Sequence, residues 1–336
     1  MMLLAGDIGG TKTELAVFTT ERGARAPLAR KRFRSRDYPS LDAIAREYLS
    51  DVDLPVTHAC FAVAGPVVGG AAALTNLPWN VEASWLERAL HMEAVSILND
   101  VHAMATAVPY LGPSEVQTLQ EGEAVPGGAI AVIAPGTGLG QAFLTWDGSR
   151  YSAHASEGSH VDFAPLTPRE VDLLRYLEPR WGRVSYERVC AGRSIPDLYE
   201  FLKHQGDVAE GPEVCANLAT VEDKTPIIMA AGLAHHTPDP LCLATLSLFA
   251  SILGAQAGNL VLTVLATGGL YIGGGIAQRA FPMVSSRGQV FLSTFAKKGR
   301  LSPLLRRVPV YVIIESVALF GAALHGLDIT PILEGR

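Results

Sequence analysis

Asn99-Asp100, Glu157-Gly158-Ser159-His160 and Glu187 place carboxylates, an amide and an imidazole at short polar breaks in an apolar chain. Such groups accept or bridge hydroxyls in pairs, the chemistry needed to hold a sugar-like ring of hydroxyls and to tell epimers apart. Asp100 has two readings. It stands where an apolar run that reads as a buried strand gives way to a helical pattern, the edge at which open α/β sheets bind ligands. An aspartate there can take a hydroxyl proton as an alcohol attacks phosphorus. It can also be a helix cap, and position alone favours the cap. Glu157 and His160 can converge on one ligand or merely form a surface turn. Glu187, in Ser185-Tyr186-Glu187-Arg188, is by type an ordinary solvated helix carboxylate. No cysteine cluster accompanies His160, which argues against a metal site there.

The second group is made of glycines. Leu3-Leu4-Ala5 runs into Gly6-Asp7-Ile8-Gly9-Gly10-Thr11-Lys12, and Leu15, Val17 and Phe18 rebuild an apolar run. This spacing predicts strand, glycine turn, strand. Without a Cβ, such a turn lets backbone N–H groups approach an anion, with a hydroxyl at Thr11 and a charge at Lys12. Asp7 beside a phosphate would repel it unless a divalent cation lay between, and hard oxygens with phosphates suit Mg2+. The pattern is neither a Walker loop nor GxGxxG. Gly136-Thr137-Gly138 is a second such turn, or a tight hairpin that needs positive φ. Gly273-Gly274-Gly275 lies between strand and helix, where a flat adenine can lie on backbone and a helix N-terminus favours anions. Two facing hairpins can clamp a polyphosphate from both sides, in a cleft between two α/β domains.

The elements that must position these groups are legible in outline. Leu41–Leu49, with Ser40 as N-cap, Ser84–Leu90 and Val101–Ala107 have helical patterns, the last stopped by Pro109. Lys31–Ser35, Ala59–Ala64, Ala71–Thr75, Val95–Leu98, Ala129–Ala134, Gln141–Thr145, Leu270–Ile272 and Val308–Ile314 read as strands. Pro168 to Leu265 is mainly helical, and Val317–Leu324 is a last helix. The 336 residues suggest two domains, and 49% hydrophobic against 18% charged residues supply a sizeable core. A net charge of −6 without a basic block argues against nucleic-acid binding. Cys60, Cys190, Cys215 and Cys242 form no CxxC, so neither a disulfide framework nor zinc is expected, and a reducing cytoplasm fits. The N-terminus has no basic region preceding an apolar stretch, so no signal peptide is expected. Leu241 to Ile276 lacks charge and is long enough to span a bilayer. Gln256, Asn259 and the glycines interrupt it, and a buried helix over Leu241–Leu265 is the better reading, with no membrane partner.

GDIGGTKTELAVF, AVAGPV, ILNDVHAMA, APGTGLGQAFL, SEGSH, YERVCAG and GGLYIGGGIAQR occur in the order found in bacterial glucokinases. From Leu4 to Leu327 the chain resembles that family, within the hexokinase–actin–Hsp70 ATPase superfamily. The resemblance implies an α/β, two-domain actin-like ATPase (ribonuclease H-like) fold with a central ATP/sugar cleft. A small domain over 1–110 would be completed by the returning segment 315–336, and 111–314 would form the large domain. It implies transfer of the γ-phosphoryl of ATP to the 6-hydroxyl of glucose in glycolysis, with Asp100 as base. Asn99, Asp100, Glu157, His160 and Glu187 would bind sugar. Gly6, Asp7, Ile8, Gly9, Gly10, Thr11 and Lys12 would form the first phosphate loop, with Asp7 near Mg2+. Gly136, Thr137 and Gly138 would form the second, and Gly273, Gly274 and Gly275 the adenosine site. A cytoplasmic homodimer is implied too. The zinc-motif kinase and repressor group is disfavoured, since no cysteine follows His160 before Cys190 and no helix-turn-helix precedes the first strand. Lys12 stands where the family often has Asn, and Glu315-Ser316-Val317-Ala318 departs from its usual segment; Asn76 is a further sugar candidate. The alternatives are a kinase of another hexose or amino sugar, and a nucleotide-binding switch without sugar chemistry.

Overall fold

The computed structural model describes residues 1–74, 76–234, 236–280 and 286–333. Thr75, the end of the strand expected over Ala71–Thr75, and residues 334–336 of the returning segment lie outside them. The chain starts β1 (Met2–Ile8), β2 (Lys12–Thr19), β3 (Ala29–Arg34), α1 (Leu41–Val52), β4 (His58–Val63), β5 (Ala71–Ala73) and β6 (Asn80–Glu82). It continues α2 (Ala83–Leu90), β7 (Ala94–Asn99), α3 (Asp100–Ala107), β8 (Val116–Gln120), β9 (Ile130–Pro135), β10 (Leu139–Trp146) and β11 (Tyr151–Ser156). Helices α4 (Pro168–Trp181), α5 (Glu187–Cys190), α6 (Ile195–Gln205), α7 (Pro212–Leu218), α8 (Thr225–Gly232) and α9 (Pro240–Val264) follow. The chain closes with β12 (Gly269–Ile272), α10 (Gly274–Ala280), α11 (Ser286–Phe295), α12 (Ser302–Arg307), β13 (Val310–Ile313) and α13 (Ala318–Leu333). Two compact units result: Met1–Leu111 with Tyr151–Ala155 and Ser316–Arg336, and Gly112–Arg150 with Ser156–Glu315.

The first unit is built on a five-stranded sheet of order β3-β2-β1-β4-β7. β1 and β2 form an antiparallel hairpin, while β1, β4 and β7 run parallel. Successive side chains of a strand point to opposite faces, and β1 buries both. Leu4 and Ile8 join the core that contains Ile44 and Tyr48 of α1 and Leu86 of α2. Leu3 and Ala5 join a second core with Ala103 of α3 and Leu319, Ala322 and Ala323 of α13. Asp7 follows Leu3 and Ala5 at the same period, which assigns it to the α3/α13 face. Small residues let α13 come close. A Cβ on Gly321 would stand 1.7 Å from the carbonyl oxygen of Ala103, and one on Gly326 2.6 Å from Leu3.

In the second unit the sheet runs β10-β9-β12-β13-β8. The pairing pattern of the first unit recurs: an antiparallel hairpin, β9–β10, whose first strand pairs in parallel with a strand from much later in the chain, β12. Asp239 caps α9 by accepting from the Cys242 amide at 2.9 Å, with Pro240 in its first turn. α9 is, among the described residues, a helix long and apolar enough to cross a membrane, yet 78% of its most apolar window is buried. Leu241, Phe249, Ile252, Leu253 and Val261 are core, which is what a helix apolar all round is for in a large unit. Gly254 and Gly258 face α11, where a Cβ would stand 2.2 Å from the carbonyl oxygen of Phe291 and 2.5 Å from that of Phe295.

Several expected bounds shift. The third strand is Ala29–Arg34 rather than Lys31–Ser35, because Ser35 turns inward into a short 3-10 turn. The strand expected over Val308–Ile314 shrinks to Val310–Ile313, and the last helix extends to Leu333. β8 escapes a sequence reading because Val116–Gln120 is only partly buried and alternates with glutamines, so it offers no apolar run.

Candidate active site

In the first unit, β1 delivers Asp7 beside Glu14 of β2, and the hairpin closes with the Gly9 amide donating to the Lys12 carbonyl at 3.0 Å. Ser35, fully buried, supports that turn: its hydroxyl donates to the Gly9 carbonyl at 2.7 Å and pairs with Thr13 Oγ1 at 3.0 Å. Neither Gly9 nor Gly10 has positive φ. Gly10 is small because the Asn76 side chain lies against it, 2.6 Å from where a Cβ would be. Asn76 thereby sits on the first turn; nothing in this arrangement marks it for sugar.

The cap reading of Asp100 is corrected by the structure. Asn99 is the N-cap of α3, its Oδ1 accepting from the amides of Val101 at 2.9 Å and His102 at 3.2 Å. The Asn99 amide donates to the Gly65 carbonyl at 3.1 Å, which fixes which end of the side chain faces the helix. Asp100 is the first helical residue, and one of its oxygens also accepts from Val101. With Asn99 carrying the capping, the Asp100 carboxylate is released for chemistry. Burial, and after it the negative charge of Asp7, raise the Asp100 carboxyl from 3.8 to about 6. Burial likewise raises Asp7, against the hydrogen bond from Ser316 and the charge of Lys12. The Ser316 hydroxyl donates to Asp7 Oδ2 at 3.2 Å, so the segment that departs from the family pattern reaches the first carboxylate of the site. Lys12, the other departure, acts on the same carboxylate.

In the second unit, Glu157 and His160 flank a 3-10 turn, with His160 Nε2 3.7 Å from Glu157 Oε2 and both side chains more than half exposed. Arg183 holds the turn from outside through the His160 carbonyl, at 3.1 Å from one guanidinium nitrogen. Glu187 is not an idle helix carboxylate. It opens α5 and its Oε2 accepts from the Leu139 amide at 3.1 Å, which seats it on the second glycine turn. Gly138 must be small for this, since a Cβ there would be 2.6 Å from Glu187 Oε2.

The hairpin reading of Gly136 and Gly138, that they are present to supply positive φ, is also overturned, because neither adopts it. A Cβ on Gly136 would meet nothing within 4 Å. Gly136 is therefore small for neither backbone conformation nor packing, and its open side is where a ligand can come close to backbone. Its turn is braced by the Gly192 amide on the Gly136 carbonyl at 2.8 Å and by Arg193 Nε on the Thr137 carbonyl at 3.2 Å. Gly274 has φ 83°, and a Cβ there would be 2.4 Å from the Pro135 carbonyl oxygen. It lets α10 begin directly behind β9. Gly273 donates to the Ile133 carbonyl at 2.9 Å, and Gly275 has room about it.

Within each unit, then, Asp7 and Asp100 act on one another electrostatically, and Glu187 meets Gly138. Sequence reasoning missed Ser35, whose type is too common to signal anything, saw Ser316 only as part of a departing segment, and saw Gln256 and Asn259 only as interruptions of an apolar run.

Comparison with known proteins places the chain in a family. The glucokinase family model matches residues 4–328. The glucokinase of Nostoc punctiforme is 39% identical over 336 residues, an alignment covering 96% of this chain and 98% of that protein. Among solved structures, a glucokinase from an Antarctic psychrotroph has a TM-score of 0.78 at 33% identity, covering 97% of this chain and 99% of that one. The glucokinase of Balamuthia mandrillaris, solved with glucose, has a TM-score of 0.79 at 19% identity over 97% of this chain and 93% of its own, a likeness of fold.

Proposed function

The chain belongs to the glucokinase family, with the α/β fold of the actin-like ATPases, and on that premise we propose how its residues carry out the ATP-dependent phosphorylation of glucose. The observation that carries the proposal is the start of α3, where Asn99 takes over the capping and leaves the Asp100 carboxylate partly buried with a raised pKa. A carboxylate near 6 is ionised at neutral pH yet basic enough to take a proton as it is lost. Asp100 orients the 6-hydroxyl of glucose and accepts its proton as the hydroxyl oxygen attacks the γ-phosphorus in line, without a covalent phosphoenzyme. Asn99, Glu157, His160 and Glu187 hold the other hydroxyls. Backbone N–H groups of the turns at Gly6–Lys12 and Gly136–Gly138 hold the phosphates, and Gly273–Gly275 receives the adenosine.

The residues present fit a divalent cation. Among the described residues no cluster of three or more His, Cys, Asp or Glu could hold one alone. Asp7 offers a hard oxygen next to a second negative charge, and Mg2+ characteristically combines one or two carboxylates with substrate phosphates. Asp7 would hold it, and the ion supplies neutralising charge to the transferring phosphoryl group. The same reading makes the enzyme a cytoplasmic homodimer acting in glycolysis.

The test is a coupled assay with Mg-ATP across glucose, mannose, fructose and N-acetylglucosamine, for the wild type and Asp100→Ala. Glucose should give the highest kcat/KM, and Asp100→Ala should lower kcat by orders of magnitude while Mg-ATP still binds. Preference for another sugar overturns the specificity; near-wild-type turnover by the variant removes Asp100 as base.

A further inference from the structure

We propose that Asn259 of α9 is a positioning residue that fixes the sugar-binding turn at Glu157–His160 and the segment bearing Glu187 to one another; the inference rests on the sugar reading given above. A directional chain of hydrogen bonds carries it. Lys298 Nζ donates to the Ala255 carbonyl at 2.8 Å and to Asn259 Oδ1 at 2.5 Å. An ammonium has only donors, so the Asn259 oxygen is turned to Lys298 and its NH2 group is turned the other way. That NH2 group donates to Tyr186 Oη at 3.0 Å and to Gln256 Oε1 at 3.2 Å. Gln256, 3% exposed, is thereby turned so that its own NH2 group faces the Gly158 carbonyl at 3.4 Å.

The two ends of this chain are the two sugar segments. Gly158 lies between Glu157 and His160, and Tyr186 immediately precedes Glu187. Tyr186 also donates its backbone N–H to the Val161 carbonyl at 3.1 Å, so main chain and side chain tie the segments together. The place is built for it. Gly258 is small where the Lys298 side chain passes, 2.6 Å from where a Cβ would be. Burial lowers the Lys298 ammonium below its ordinary value, and its ligands are an oxygen of Asn259 and a main-chain carbonyl. Gly158 is pinned on another side, with Gln141 Oε1 2.5 Å from where its Cβ would be. A buried Gln256 with half-buried Asn259 and Lys298 beside an apolar helical core is hard to account for by stability alone, since an apolar replacement of such a network is often neutral or better.

Asn259→Asp separates positioning from packing. It keeps the volume and the Lys298 contact but removes both donors: the Tyr186 hydroxyl can reverse and donate to the new carboxylate, whereas Gln256 must turn its NH2 group toward that carboxylate and lose the Gly158 carbonyl. Steady-state kinetics would be run on this variant, on Lys298→Met, which removes the group that orients the amide, and on Glu157→Gln, with melting curves for each. The expected result is a glucose KM raised about tenfold in Asn259→Asp and Lys298→Met, the order of one lost buried hydrogen bond, with the Mg-ATP KM within about twofold of wild type. A folded Asn259→Asp with unchanged glucose KM, beside a Glu157→Gln whose KM rises, overturns the positioning role and leaves the sugar site standing. An unchanged KM in Glu157→Gln removes the sugar reading and the inference with it. Loss of kcat in proportion to loss of folded enzyme, with glucose KM unmoved, assigns the network to stability alone and also overturns it.

Discussion

Lowering the pH from 7 to 5 should reduce kcat/KM for glucose about tenfold, because Asp100 titrates within that interval. Its carboxyl is raised from 3.8 to about 6, first by burial and then by the charge of Asp7. The difference corresponds to about 3 kcal/mol at roughly 1.4 kcal/mol per pH unit. At pH 7 about nine molecules in ten carry the ionised base, and at pH 5 about one in ten. A carboxyl left at 3.8 would still be about nine-tenths ionised at pH 5, and the rate would hardly change. The assay measures glucose 6-phosphate at subsaturating glucose, in buffers of constant ionic strength, with circular dichroism at each pH to confirm folded enzyme. The slope should be one proton, and Asp100→Asn should remove both the rate and the limb. A profile flat from pH 7 to 5 in folded enzyme would refute the argument from burial and from Asp7. So would a limb that persists unaltered in Asp100→Asn.

Gly136→Ala should leave the melting temperature within about 2 °C, since the added methyl meets nothing and the backbone is not left-handed, while the Mg-ATP KM rises; a stability loss with unaltered nucleotide kinetics would show that Gly136 serves folding instead. Gly321→Ala forces a methyl into the Ala103 carbonyl and should destabilise by about 1–3 kcal/mol or more, read from urea midpoints. Its α3 partner carries Asp100, so kcat should fall as well. His325, half-buried and near His102, is pushed down to about 4 from 6.5 by partial burial and then by the His102 charge. Its folded pKa lies below its unfolded one, so it leaves stability untouched above about 6.5 and lowers it as pH falls toward about 4, by at most about 3 kcal/mol. Asp100, with a raised pKa, works in the opposite sense between about 4 and 6, so the comparison must be with His325→Gln. The wild type should lose urea resistance relative to that variant between pH 6.5 and 4, and parallel curves would show that His325 is not held neutral.

How much of this was legible in the sequence follows from what each residue has to do. The hairpins at Gly9 and Gly136 and the buried α9 announce themselves through apolar runs and glycines, which physics ties to few conformations. The motif order gave Asp100 and Glu187 their candidate roles. What the sequence could not separate was capping from catalysis at Asn99-Asp100, because both residue types cap helices well and only the Gly65 carbonyl decides which one does. Nor could it say why Gly136 and Gly138 are glycines: one faces open space and the other faces Glu187, and sequence shows neither. Ser316 and Lys298 lie far along the chain from the groups they orient, and no local pattern reports a partner that distant. Asn259 was visible as a polar residue in an apolar helix, but its use depends on which three elements surround it.

The placement of α13 has a consequence for biosynthesis. The sheet face of the first unit that includes Leu3, Ala5, Ala16, Phe18 and Ala62 is covered by Leu319, Ala322 and Ala323, the last described helix to leave the ribosome. Although its strands are made first, this unit cannot close until Ala318–Leu333 has left the ribosome. The second unit draws on one nearly continuous stretch and has its strands and helices available earlier. Domains usually complete in the order of synthesis; here that order is inverted, and until α13 emerges the nascent first unit presents an uncovered apolar sheet face to chaperones.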